Sequence, residues 1–251
     1  KATKAVAAQQ MIKRAERMMR GLEDERQTDK VAAIRFPEPA PCGKTPLSAQ
    51  SLSKSYGSLE IFTDVDLAID RGSRVVVLGL NGAGKTTLLR MLAGNTAPDT
   101  GEVVYGHGAK IGYFAQEHEI LDGERTVLEN MKSAAPDLDD TRVRTILGSF
   151  LFSGDDVEKP AGVLSGGEKT RLSLATLVAS SANILLLDEP TNNLDPASRK
   201  EILNALKAYK GAIVMVSHDE GAVEALNPER VLLLPDAVED LWSKEYQDLI
   251  S

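Results

Sequence analysis

A chain of 251 residues, 42% hydrophobic and 26% charged, has the length of one large or two small domains and the balance of an ordinary globular protein. Its net charge of −8 excludes a uniformly basic nucleic-acid binder. Its apolar runs are too short to cross a bilayer, and its first residues lack the apolar core of a secretory signal. A single cysteine, Cys42, excludes an internal disulfide and agrees with a reducing cytosol.

Charge and periodicity set residues 1–35 apart. Lys1, Lys4, Lys13, Arg14, Arg17 and Arg20 face only Glu16 within the first twenty residues, a local balance of +5 that leaves −13 for the rest of the chain. Ala8, Ile12, Ala15, Met19 and Leu22 recur at three- and four-residue spacing, with no proline and one glycine up to Arg35, which predicts an amphipathic helix with a thin apolar stripe. The pattern is already under way at Lys1, so the chain is expected to be part of something longer. Its basic face reads either as a solvated arm or as a surface that attracts RNA phosphates; without aromatic residues it would not read RNA sequence. Residues 36–45, FPEPAPCGKT, hold three prolines and a glycine, break the helix and predict a stiff linker ending at a domain boundary between 45 and 46.

From Pro46 onward strands and helices alternate. Residues 47–52, 61–69, 102–105 and 110–114 alternate polar and apolar side chains, which predicts half-exposed strands in an antiparallel part. Residues 74–80, 183–187 and 211–216 are nearly continuous apolar runs followed by helical stretches, the mark of central parallel strands covered on both faces. Residues 126–180 contain no convincing strand; 127–134, 141–150 and 166–179 read as helices, so a helical insertion is expected over about 125–180. The expected class is α/β, with a mostly parallel core sheet.

Gly79 to Thr86 reads GLNGAGKT, the spacing of a phosphate-binding loop, and it lies between an apolar run and the helix former starting at Thr87. Glycines 79, 82 and 84 let the backbone curl its amides inward around Asn81 and Ala83, and the helix that follows adds the positive end of its dipole. Lys85 would reach the outer phosphates and the Thr86 hydroxyl would ligate a bridging Mg²⁺. The run at 184–187 ends in Asp188 and Glu189. Asp188 suits the metal, and Glu189, one residue beyond, is placed to take a proton from an attacking water. Leu164-Ser165-Gly166-Gly167-Glu168 precedes another helix, where a serine hydroxyl and glycine amides would make a second anion site.

These three elements together resemble an ATP-binding-cassette (ABC) nucleotide-binding domain of the P-loop NTPase class, with the Walker A, signature and Walker B motifs, over about residues 46–231. The resemblance implies that Tyr56 stacks on adenine, that Gln116 in YFAQE senses Mg²⁺ and the γ-phosphate, that His218 in VSHD is the switch histidine, and that Asn192, Asn193, Leu194 and Asp195 form the D-loop. Taken alone, Tyr56 is as readily a turn tyrosine, Gln116 an ordinary polar residue after a strand and His218 a neighbour of a helix cap; their order along the chain favours the functional reading. The family further implies that the signature closes over ATP held by a second cassette, so a monomer should hydrolyse poorly.

The spellings IGYFAQE, LSGGEKTRL and DEPTNNLD resemble the ABC-F proteins, two-cassette chains that act on the ribosome; transporter cassettes more often read TSALD after the acidic pair. Asn193 departs from the histidine common there. The segment from Arg230 resembles the end of an ABC-F second cassette, and residues 1–35 the returning arm of the interdomain linker that reaches toward tRNA. The resemblance thus implies a cytoplasmic ATPase with a second cassette, ribosome and tRNA as partners and no membrane. The alternative is the motor subunit of a membrane transporter.

Overall fold

The computed structural model describes residues 34–115 and 121–250. The helix expected over residues 1–35 lies, up to residue 33, outside the described residues, as does Gln116.

Two sheets divide the strands. β1 (Leu47–Tyr56) and β2 (Leu59–Ile69) form a long antiparallel hairpin, and β4 (Thr100–Tyr105) pairs antiparallel with the other edge of β1. β3 (Arg74–Leu78), β5 (Ile111–Phe114), β6 (Ile184–Asp188), β7 (Ala212–Val216), β8 (Arg230–Leu233) and β9 (Val238–Leu241) form the larger sheet in the order β5-β6-β7-β3-β8-β9. Its pairs are parallel except for β8–β9. This is the α/β architecture expected from the apolar runs.

Alternation along β3 shows how the sheet is covered. Val75 and Val77 join Leu88, Leu89 and the small antiparallel sheet in one core, while Val76 and Leu78 join the helices of the opposite face in another. Every second side chain points the same way, so a strand apolar at each position serves two cores. Each such residue contributes about 1.5–3 kcal/mol on burial.

The first core includes α1 (Lys85–Leu92). The second is built with α2 (Val127–Ala134), α3 (Asp140–Ser149), α4 (Gly166–Ala179), α5 (Pro196–Ala208) and α6 (Glu220–Leu226). Local sequence sets where most of these helices start. Thr126 with Glu129, and Ser165 with Glu168, form capping boxes; Asp139, Asp195 and Asp219 accept first-turn amides, and Pro196 sits where a missing N–H costs nothing. α1 differs: its N-cap, Gly84, brings no side chain to the first-turn amides.

One strand expectation needs correction. Residues 110–114 do not belong to the antiparallel part, because β5 lies parallel to β6 at the edge of the large sheet. The glycine that weakens its apolar pattern is there for packing: a Cβ on Gly112 would stand 2.6 Å from Leu177 and 2.9 Å from Ala182, so its absence lets α4 close on the strand. β8 and β9, which extend the sheet beyond β3, lie in a stretch for which no strand was expected.

The proline-rich stretch lies against the rest of the described chain. Ile34 is buried, Phe36 meets the Tyr209 ring edge-on at 5.4 Å, and the Tyr209 hydroxyl donates to the Ala182 carbonyl at 2.7 Å. Asn183 is the fastening point. Its amide donates to Ala40 O (3.0 Å) and Gly108 O (2.8 Å), and its oxygen accepts from Lys110 N (2.8 Å).

Candidate active site

Sheet order decides what the site contains. β6, β7 and β3 are neighbours and run parallel, so Asp188–Glu189, Ser217–His218 and the loop from Gly79 emerge side by side at their carboxyl ends. In such sheets that edge is where ligands bind. The strand ends open into a cleft of about 380 Å³ lined by Asn81, Gly82, Gly84, Lys85, Thr86 and Thr87 of the loop, by Asp188, Glu189 and Asn192, by Val216 and His218, and by Ile61 of β2.

Gly79 and Ala83 shape the loop from outside the cleft. A Cβ on Gly79 would come within 2.4 Å of the Leu234 carbonyl, and Ala83 N donates to Leu80 O at 3.0 Å. Gly84 is more tightly constrained, with φ +90 and only 2.3 Å between an added Cβ and Ile61 of β2. A side chain there would push the hairpin off the loop. The consequence is a helix end whose first-turn amides are left to the cleft, an arrangement that suits phosphate.

Lys85 is buried, and its ammonium donates to the carbonyls of Gly79 (2.5 Å) and Leu80 (3.2 Å). Burial lowers its pKa, while Glu189 and Asp188 pull it back up. The charge is thus held across the cleft from two carboxylates. Thr86 and Asp188 line the cleft with hard oxygen donors that fit Mg²⁺, an ion that keeps waters and takes phosphate oxygens beside one or two protein ligands. Among the described residues no group of three or more His, Cys, Asp or Glu forms a self-sufficient metal cage.

Glu189 stands beyond the strand in the left-handed region, with φ +51, and is only 5% exposed. It is held rather than free. His218 N donates to Oε1 (3.0 Å) and Oε2 (3.2 Å), and the Ser217 hydroxyl donates to Oε2 at 3.3 Å. Burial raises the carboxyl pKa, the His218 amide and charge and the Ser217 hydroxyl oppose that rise, and Asp188 adds to it. The His218 imidazole places Nε2 3.8 Å from Glu189 Oε1.

The remaining expected residues divide between the cleft and its surroundings. Asn192 lines the cleft and donates its amide to Glu189 O at 3.2 Å. Asn193 adopts φ +62, a conformation that asparagine tolerates better than most residues, and its carbonyl lies 3.3 Å from where a Cβ on Gly167 would be. Asp195 caps α5 and pairs with Arg171 of α4 at 3.8 Å, and Leu194 packs against the helical core. The segment 192–195 therefore joins the cleft to the signature helix.

Leu164 is buried, whereas Ser165 and Gly166 are exposed, and none of residues 164–168 lines the cleft. The chain's own Glu168 already occupies this helix end: its carboxylate accepts from Ser165 N (2.8 Å) and from the Ser165 hydroxyl (2.7 Å). Tyr56, at the end of β1, is 52% exposed and outside the cleft lining, with the Lys54 ammonium 5.5 Å from its ring centroid. Gln116 lies outside the described residues.

Three further residues shape the site. Ser217 touches Glu189; a small polar residue between a buried strand and His218 was the available signal. Asp219 accepts from Thr191 (2.9 Å) and Arg199 (2.6 and 2.9 Å) while capping α6, and its place before a helical stretch hinted at the cap alone. Ile61 comes from β2, far from any motif.

Comparison with known proteins agrees with this geometry. The ABC transporter family profile matches residues 62–192. The probable ATP-binding protein YheS of Escherichia coli (strain K12) is 39% identical over 254 residues, covering 100% of this chain and 40% of that protein. The putative ATP-binding protein YdiF of Bacillus subtilis is 41% identical over 217 residues, covering 86% and 33% respectively. ABC transporter F family member 5 of Arabidopsis thaliana is 34% identical over 215 residues, covering 85% and 31%. This chain thus spans 40% or less of the length of these relatives. The dimeric post-hydrolysis structure of the ATP-binding cassette MJ0796, bound to ADP and Pi, superposes with a TM-score of 0.66 at 24% identity over 78% of this chain and 98% of that one, a likeness of fold. With the profile spanning more than half of its residues over a fold and cleft of this kind, the chain belongs to the ABC transporter family, and its homologues are of the ABC-F type.

Proposed function

We propose that the chain is the second cassette of a two-cassette ABC-F protein, which binds ATP with Mg²⁺ in the cleft and hydrolyses it when a partner cassette covers the nucleotide. The observation that carries this reading is the adjacency of three strand ends, which sets an uncapped helix with its lysine opposite two buried carboxylates and a histidine.

The loop amides from Asn81 to Thr87 and Lys85 hold the phosphates, and Tyr56 stacks on adenine. Thr86, Asp188 and Gln116 hold Mg²⁺, which when bound neutralises charge on the phosphates. Glu189 takes the proton of an attacking water as that oxygen bonds to the γ-phosphorus. The bond to the β–γ bridging oxygen breaks with its electrons left on ADP. His218 steadies the transferring phosphoryl group as the imidazolium, whose Nε2–H donates to a phosphoryl oxygen. The exposed tip at Ser165 and Gly166 serves the partner's nucleotide and the partner's tip serves this one, because the transferring group needs donors on all sides and water kept out.

At the scale of the whole protein, residues 1–45 act as the linker arm and connector. Closure of the two cassettes reshapes that arm at the ribosome and its tRNA, and hydrolysis resets it. The work is done in the cytoplasm, away from the membrane. The support is the ABC-F spelling of residues 164–172 and 188–195 together with the ABC-F relatives. In the intact protein, Glu189→Gln should trap the closed form and cosediment with ribosomes in ATP but not in ADP. Loss of that nucleotide dependence, with an integral membrane protein copurifying instead, would move the assignment to a transporter motor.

A further inference from the structure

The described chain returns to the cleft at its far end. Beyond β9, Trp242 N donates to Glu229 O (3.0 Å), the Trp242 and Tyr246 rings lie 6.1 Å apart, and the Tyr246 hydroxyl donates to Asp240 at 2.5 Å. A 3₁₀ turn over Lys244–Leu249 then delivers Ile250, whose side chain is 1% exposed in the helical-face core. The Ile250 carbonyl ends 3.1 Å from Nδ1 of His218.

A carbonyl oxygen only accepts, so this contact requires the proton on Nδ1 and leaves the lone pair of a neutral ring on Nε2. That nitrogen is the one 3.8 Å from Glu189 Oε1. The imidazole is 45% exposed, so without the contact water competes for both nitrogens and the ring is freer to turn. Hydrogen bonds of this kind fix the tautomer and orientation of functional histidines, and their loss typically costs 10–100-fold where the histidine is a ligand.

We propose that Ile250 is a positioning residue for hydrolysis: its side chain is anchored in the core, and its carbonyl holds His218 as the Nδ1–H tautomer with Nε2 turned to Glu189 and the cleft. This rests on the reading of His218 as a participant in hydrolysis. It adds that a segment outside every nucleotide motif sets the state of that ring.

The test uses the intact protein labelled with ¹⁵N in histidine only. The imidazole ¹⁵N shifts of His218 should report Nδ1–H as the dominant neutral form. Ile250→Gly, which removes the anchoring side chain, should give a mixture of tautomers and reduce turnover by roughly 10-fold. Ile250→Val keeps the anchor and should retain the wild-type shifts and turnover. In a His218→Ala background, Ile250→Gly should cause no further loss. An unchanged ¹⁵N pattern in Ile250→Gly, or losses that multiply in the double variant, would overturn the proposal. If Ile250→Gly fails to fold, Ile250→Ala loosens the anchor less, and the same two readouts decide. Should His218→Ala leave turnover intact, the proposed role of His218 falls, while the ¹⁵N shifts still decide whether the tail holds the ring.

Discussion

In the proposed mechanism Glu189, as the base, combines two demands that oppose each other. A base must be ionised to accept a proton, yet a carboxyl that is 5% exposed is penalised in its charged form, and burial raises its pKa. The His218 amide and the Ser217 hydroxyl limit that rise. The acid limb of the turnover profile should therefore lie above the range of an ordinary glutamate. Ser217→Ala removes a hydrogen bond that favours the carboxylate and should move that limb further up in pH, with turnover well above it nearly unchanged. A pH–rate profile checks this; a limb that stays put or moves down would remove Ser217 from the tuning of the base. The stability linkage has the matching sign. A raised folded pKa favours the fold while Glu189 is protonated, and that contribution is lost as pH rises through the folded value. Lys85 and Asp188 could be singled out from spacing alone because motif neighbours are chain neighbours. Ser217 could not, since its contact with Glu189 spans 28 residues.

Among the elements, β6 is central to the site through both of its ends. At its carboxyl end it presents Asp188, and just before its amino end Asn183 binds two other parts of the chain, at Ala40 and at Gly108 with Lys110. Asn183 is 2% exposed, so removing its amide strands buried polar groups. Asn183→Ala should cost about 1–3 kcal/mol in urea unfolding, measured as a lower midpoint at an unchanged slope. A loss within about 0.5 kcal/mol would mean that water replaces those bonds. The apolar run after Asn183 was readable as a buried strand because it is apolar at every position. β5 was misread because Gly112, required by the close approach of α4, breaks the apolar pattern of a buried strand. β8 and β9 have short, partly exposed patterns that become strands by pairing with β3 and with each other.

For the whole molecule the decisive fact is separation. The signature tip at Ser165 is exposed and lies outside the cleft lining, while residues 192–195 run from the cleft to the helix that bears it. A single cassette therefore leaves one side of its nucleotide open to water. For the isolated chain, ATP turnover per molecule should rise with protein concentration and fall toward zero at dilution, whereas nucleotide binding persists. Turnover per chain that holds constant down to dilute monomer would contradict the need for a covering partner.

From residues alone came the loop at 79–86, the acidic pair, the signature helix, the continuously apolar central strands and the α/β class. All of these are local: turn chemistry, capping and periodicity act over a few residues, and their spacing survives in the one-dimensional record. Only the tertiary structure decided that β6, β7 and β3 lie side by side, that the proline-rich stretch is fastened by Asn183, and that Ile250 meets His218. Those facts depend on which surfaces bury one another at distances of tens to more than a hundred residues along the chain, as in the 143-residue span from Ala40 to Asn183. Contacts of that range are settled by packing of the whole chain, to which each partner's local sequence contributes little.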